Sequence, residues 1–229
     1  MDLKQWDYDV YGIPDEVFFR SEGIPMTKRE IRILSLSNLM LRRGMSVMDI
    51  GCGSGSMTVE ISNIVGPDGS VMGIDIREDA VDLAAKNCAA LCRYRNYTVE
   101  MADIYDFRGD RKFDAVFVGG GTAEIGRLFD KITEITHDGS RVVVNAIQLH
   151  TAYQSLDEMI RRGYSDVDVV QAMISKGMRT SGIQSLYYRV HPHEDVRRRS
   201  WSRGSRVHNR ESCKRSETER YYIRTWILR

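Results

Sequence analysis

Seven consecutive residues, Asp49-Ile-Gly-Cys-Gly-Ser-Gly55, could do the most chemistry in this chain. An apolar run ends at Asp49, three glycines follow at Gly51, Gly53 and Gly55, and a helical pattern begins at Ser56. Strand, tight turn and helix in that order bring backbone amides and a helix N-terminus up to an anionic ligand group. The spacing is G-x-G-x-G; a dinucleotide loop would read G-x-G-x-x-G, and position 56 is Ser. Glycines alone also serve any ordinary strand-to-helix turn, because they reach positive φ without strain. A second residue adds weight. Ser70-Val-Met-Gly-Ile-Asp75 reads as a short strand ending in a carboxylate 20 residues beyond Gly55. An acid at about that interval can accept hydrogen bonds from both hydroxyls of a ribose, although it could also cap a helix ahead of Glu78. Loop and acid together describe a site for a nucleoside-type cofactor.

Such residues must be held at one edge of a sheet. Apolar strands near 46–50, 70–75, 97–101, 113–118, 140–146 and 166–174 alternate with helical stretches near 55–65, 77–92, 123–135 and 151–162. The alternation predicts an α/β fold with a Rossmann-like, doubly wound sheet, mostly parallel, and right-handed crossovers put the strand C-termini on one edge. Ahead of the sheet, residues 1–26 are rich in aromatics (Trp6, Tyr8, Tyr11, Phe18, Phe19) and read as an irregular lid. Thr27 and Glu30 have capping-box spacing and predict a helix from 27 to about 41. The expected organisation is 1–45 lid and helix, 46–190 cofactor-binding domain, and 191–229 basic extension.

Composition fits a globular protein: 229 residues, 42% hydrophobic and 28% charged. No run approaches the ~20 apolar residues of a membrane span, and the N-terminus lacks the features of a signal peptide, so a cytoplasmic location is expected. The net charge of +1 hides an asymmetry, since residues 191–229 hold 11 Lys/Arg and 5 Asp/Glu, leaving 22 and 27 for residues 1–190. Arg, Ser and His dominate that tail without clear periodicity, and Tyr221–Leu228 could supply a final strand or belong to an unrelated extension. Cys52, Cys88, Cys92 and Cys213 form no metal pattern; Cys88 and Cys92, one helical turn apart, read as small buried apolar residues.

The glycine loop with its G-x-G-x-G spacing resembles that of S-adenosylmethionine-dependent methyltransferases, in which it holds a methionine carboxylate. More of the chain resembles one family among them, the cobalt-precorrin-6B (precorrin-6Y) C15-methyltransferases (decarboxylating). The residues that carry this are Gly12-Ile-Pro-Asp-Glu16, Pro25-Met-Thr-Lys-Arg-Glu-Ile-Arg32, the loop itself, Gly73-Ile-Asp75 and Val118-Gly-Gly-Gly121. The resemblance spans roughly residues 10–185. It implies one S-adenosylmethionine per subunit, methylation at C15 of a corrin precursor with loss of carbon dioxide from the C12 acetate, an antiparallel last strand and a homo-oligomer, commonly a tetramer. By motif position it implies cofactor contacts from Thr27, Gly51, Cys52, Gly53, Ser54, Gly55 and Asp75. Asp103 and the Ile104 amide would hold the adenine, though Asp103 could equally be a loop cap. A tetrapyrrole with many carboxylates asks for a basic rim, for which Lys28, Arg29, Arg32 and His150 are candidates; Gly119 and Gly120 would leave room for its flat face.

The cofactor brings its own activated methyl, so alignment and water exclusion suffice and no catalytic triad or metal is expected; no residue is assigned a catalytic role. Two other readings exist. An RNA methyltransferase of the adenine-N1 type would use the basic tail on phosphates, but the Pro25–Arg32 segment speaks against it, and nucleic acid is not an expected partner. A non-catalytic cofactor-binding or scaffold protein, its tail docking a partner, is the other, and the intact glycine and acid positions speak against it.

Overall fold

In a computed structural model, the alternating apolar and amphipathic stretches fold into one open sheet; the structure describes residues 9–174, 178–180, 183–185 and 223–228. The strands are β1 (Ser46–Ile50), β2 (Ser70–Asp75), β3 (Tyr97–Met101), β4 (Phe113–Val118), β5 (Thr136–Ala146), β6 (Val169–Ile174), β7 (Met178–Thr180), β8 (Ile183–Ser185) and β9 (Ile223–Leu228). Five helices accompany them: α1 (Arg29–Leu39), α2 (Ser56–Val65), α3 (Glu78–Leu91), α4 (Ile125–Ile135) and α5 (Leu149–Arg161). The sheet order is β3-β2-β1-β4-β5-β9-β6. Strands β1 to β5 pair in parallel, and β9 runs antiparallel to β5, with Val144 opposite Leu228. Of the two fates open to the end of the chain, Ile223–Leu228 takes that of a sheet strand. The expected boundary at residue 190 lies outside the described residues. Two compact units divide the chain, Met1–Ala172 with Arg224–Arg229 and Met173–Ile223, and in the second β7 pairs antiparallel with β8.

Alternation along β1 sorts its side chains between two cores. Met48 and Ile50 pack with Val116, Val118, Leu128, Phe129 and Ile132 on one face, whereas Val47 packs with Leu36, Met57, Ile61 and Phe117 on the other, as the two-residue period of a strand requires. Asp49 shares the Val47 face and is fully buried. Strand order turns back between β1 and β4, and ligands of such sheets bind at the C-terminal edge beside that switch point.

The start of α1 departs from the expected capping box. Its N-cap is Lys28, with no side-chain cap from that residue, and the first helical amide, that of Arg29, donates instead to Asp15 Oδ1 at 2.9 Å. Asp15 belongs to a short 3-10 turn, Asp15–Val17, in the aromatic-rich segment. A carboxylate from outside the helix therefore does the work that the Thr27–Glu30 spacing implied for a local pair.

That segment is fastened to the body by a buried ionic cluster. Glu60 of α2 accepts from the amides of Gly12 (2.9 Å) and Ile13 (2.8 Å) and from Arg32 Nε at 3.3 Å. Arg32 also donates through Nη1 to Asp15 Oδ1 at 2.8 Å and to the Thr27 carbonyl, and through Nη2 to the Ile13 carbonyl. Its guanidinium lies 4.8 Å from the Phe18 ring centroid. Such a charge, 0% exposed, is tolerable only because each of its nitrogens meets an acceptor. Arg32 thus lies in the interior and is corrected from the basic rim on which its charge had placed it.

Candidate functional site

At the C-terminal edge the loops after four strands are hydrogen-bonded to one another. The amides of Gly51 and Cys52 both donate to the Ile74 carbonyl, at 2.9 and 3.0 Å, and those of Gly119 and Gly120 to the Ile50 carbonyl, at 2.8 and 3.1 Å. The Ala102 amide donates to the Asp75 carbonyl at 3.0 Å. Tyr105, which sequence reasoning passed over, donates its hydroxyl to the Gly121 carbonyl (2.7 Å) and accepts from the Glu124 amide (2.8 Å). Its place within a polar loop gave no signal of that bridge.

The glycine loop is not a bare row of donors. Gly53 donates to Asp75 Oδ2 at 2.9 Å, Ser54 to the Pro25 carbonyl at 3.3 Å, and Gly55 to the Cys52 carbonyl at 2.8 Å. All five amides from Gly51 to Gly55 therefore meet acceptors of the chain itself, which corrects the expectation that they reach out to an anion. What the glycines provide is close approach. A Cβ on Gly51 would lie 2.6 Å from Gly120 N and Cα, and one on Gly53 would lie 2.7 Å from the Pro25 carbonyl oxygen; both residues also have positive φ. Gly120 in turn packs on Gly51, with its own added Cβ 3.3 Å from Gly51 Cα, while Gly119 is exposed at the edge. Gly119 and Gly120 therefore fit against the first loop, an added Cβ on Gly119 lying 3.2 Å from the Gly51 carbonyl oxygen.

Carboxylates dominate the charge beneath the loop. Asp49 Oδ2 accepts from the Thr58 hydroxyl at 2.6 Å. Loss of water pushes the Asp49 carboxyl up to about 7, against the opposing pull of the Thr58 hydroxyl and amide and with a further push from Asp75. Burial likewise raises the Cys52 thiol, with Asp49 and Asp75 adding to it, so Cys52 is a neutral wall. Asp75 does not cap α3, whose N-cap is Arg77; it accepts from Gly53 N and, through Oδ1, from Arg77 N at 3.1 Å.

Two buried polar atoms here have no hydrogen-bond partner among the described residues, Asp49 Oδ1 and Ser54 Oγ. Orphans of this kind ask for a ligand or an ordered water. A carboxyl raised by burial and a hydroxyl, under a loop whose amides are already engaged, can exchange hydrogen bonds with a polar ligand group or an ordered water. The amino-acid end of a sulfonium cofactor, which carries both an ammonium and a carboxylate, is a polar group of that kind.

Among the other predicted residues, Thr27 is half-buried two residues beyond Pro25, which touches the loop, and its carbonyl holds Arg32. Asp103 is exposed, and its Oδ1 accepts from the Tyr105 amide at 3.0 Å, a local turn contact. Ile104 is buried and faces Gly121, whose added Cβ would lie 3.4 Å from Ile104 Cγ2. Lys28 and Arg29 are half-buried near the start of α1, and His150 is exposed in the first turn of α5. Exposed apolar side chains flank this edge: Ile76 after β2, Met101 ending β3, and Ile147, Leu149 and Tyr153 after β5. No group of three or more His, Cys, Asp or Glu placed to hold a metal ion occurs among the described residues.

Comparison with known proteins gives a consistent result. The family model of the precorrin methyltransferase domain matches residues 17–181. A Thermoplasma acidophilum protein named "Probable cobalt-precorrin-6B C(15)-methyltransferase (decarboxylating)" is 63% identical over 181 residues, covering 79% of this chain and 90% of its own. The crystal structure of precorrin 8W decarboxylase from Methanobacterium thermoautotrophicum superposes with a TM-score of 0.69 at 24% identity, over 76% of this chain and 93% of its own. A tRNA (m1A58) methyltransferase from Aquifex aeolicus shares the fold at 15% identity (TM-score 0.63, 92% of this chain and 71% of its own).

Proposed function

Since this chain belongs to the precorrin methyltransferase domain family, we propose that it transfers a methyl group from S-adenosylmethionine to C15 of cobalt-precorrin-6B, with loss of carbon dioxide from the C12 acetate. The observation that carries the reading is the pairing of high identity to a relative of that name with a glycine loop braced at the switch point of the sheet. The cofactor supplies a methyl already activated by its sulfonium charge. Asp49 Oδ1 and Ser54 Oγ would receive its amino-acid end and Asp75 its ribose, with Gly51, Cys52, Gly53 and Gly55 shaping the floor. Thr27, Asp103 and the Ile104 amide would complete the surround. The chain's own task is then alignment and exclusion of water, which intramolecular reactions show can supply much of a barrier reduction.

The substrate would lie over Gly119 and Gly120, at the edge where Gly119 is exposed. Ile147, Leu149 and Tyr153, each more than 60% exposed, would offer an apolar shelf for a macrocycle, and Lys28, Arg29 and His150 would meet its carboxylates. We further infer a cytoplasmic homo-oligomer, a tetramer by resemblance; no described helix is long and apolar enough to cross a membrane. Incubation with methyl-labelled S-adenosylmethionine and either cobalt-precorrin-6B or bulk tRNA tests the reading. Label is expected in the tetrapyrrole; label in tRNA would overturn it.

A further inference from the structure

Asn87 is fully buried on α3, an unfavourable place for a side chain that competes with the helix for backbone hydrogen bonds. Its partners explain its presence. Oδ1 accepts from the Phe19 amide at 2.8 Å, while Nδ2 donates to the Phe19 carbonyl at 3.1 Å and to the Ser54 carbonyl at 2.8 Å. One side chain thus joins two main-chain segments, 68 and 33 residues away in sequence. The peptide on the other side of Ser54 is held as well, the Ser54 amide donating to the Pro25 carbonyl at 3.3 Å. Ser54 Oγ, on the same residue, is one of the two orphaned polar atoms of the loop.

We propose that Asn87 is a positioning residue for the cofactor site, locking the Ser54 peptide to the N-terminal segment so that loop and segment form one preformed receptor. The proposal rests on the methyl-donor reading above. With an apolar or shortened side chain at 87, the Phe19 amide and the Ser54 carbonyl lose their partners. The loop then has several conformations to give up on binding, which weakens affinity without removing any direct contact. A purely structural amide would lower stability alone. Asn63 is the internal comparison: it also ties main chain together, donating to the Leu91 carbonyl at 3.1 Å and accepting from the Arg93 amide at 2.7 Å, both of them, among the described residues, away from the loop.

The test is calorimetric titration of the full chain with S-adenosylhomocysteine, without tetrapyrrole, comparing wild type with Asn87→Ala, Asn87→Ser and Asn63→Ala. Each is measured well below its own Tm. The Asn87 variants are expected to bind about tenfold more weakly, with KM for the methyl donor rising by a similar factor and kcat falling by less. Asn63→Ala is expected to lose thermal stability and keep its affinity. Asn87→Ser, which keeps a polar group at the position, is the second variant should the alanine variant not fold. Unchanged affinity in either folded Asn87 variant, or an equal loss in Asn63→Ala, would overturn the positioning role. Failure of the wild type to bind at all would instead strike the cofactor reading.

Discussion

Asp49 sits under the glycine loop with one oxygen held by Thr58 and the other without a described partner. Its carboxyl is pushed up to about 7 from 3.8, chiefly by desolvation. The direction fixes the pH dependence. Below 3.8 the group is protonated in both folded and unfolded chains, and its contribution is fully present. As pH rises towards 7 the unfolded chain releases a proton that the folded chain keeps, so stability falls, by at most roughly 4 kcal/mol from this group. Asp49→Asn should remove that fall, which urea unfolding from pH 4 to 8 would show as a flatter curve than wild type; parallel curves would contradict it. At Arg32 the expectation is a loss. Arg32→Met leaves Asp15 and Glu60 buried without their cation and should cost about 3–5 kcal/mol, read as a lower urea midpoint; unchanged stability with weaker substrate binding would return Arg32 to the rim. The Asp49 motif was legible in sequence because its neighbours are local. Arg32 was not, because its partners lie 17 and 28 residues away, and a charged residue in a helix looks the same whether its face meets water or two buried acids.

Strands and helices follow periods that sequence displays directly, which is why β1 to β4 have the bounds their apolar runs suggest. Ends are less visible, because they depend on partners from elsewhere. The Thr27–Glu30 spacing satisfied every local criterion for a capping box, yet the cap of α1 comes from Asp15 across a loop. β5 likewise begins at Thr136, ahead of its most apolar part, with an irregular register against β4. The glycine loop was recognisable as a cofactor loop, but the engagement of its amides was hidden, since Ile74, Asp75 and Pro25 approach only after folding. That geometry makes Gly53→Ala informative. The added Cβ would meet the Pro25 carbonyl oxygen at 2.7 Å, in backbone with φ +52, so the loop must move. Strain of this kind costs about 1–3 kcal/mol, and the cofactor should bind at least about tenfold more weakly. Calorimetry that finds wild-type affinity in a folded Gly53→Ala protein would refute the close-packed loop.

At the scale of the whole molecule, the parts form one argument. A doubly wound sheet turns back between β1 and β4, four loops at that edge brace each other, and a buried ionic cluster fastens the N-terminal segment against α1 and α2. The family was legible in Pro25–Arg32 and Val118–Gly121, of which the fold sets Pro25, Gly119 and Gly120 against the loop. The strand at Ile223–Leu228 was harder to read: a short apolar run after a long basic stretch has no local signal of which sheet it joins, and only pairing with β5 decides that. The central claim joins two chemical events on one substrate, and the mass of the product reports both. Cobalt-precorrin-6B is incubated with the full chain and S-adenosylmethionine, and the tetrapyrrole is analysed by mass spectrometry alongside trapped carbon dioxide. The account predicts a product that has gained one methyl group and lost one carboxyl group, with one carbon dioxide released per methyl transferred. A tetrapyrrole recovered unchanged, while the same preparation methylates another substrate, would contradict it.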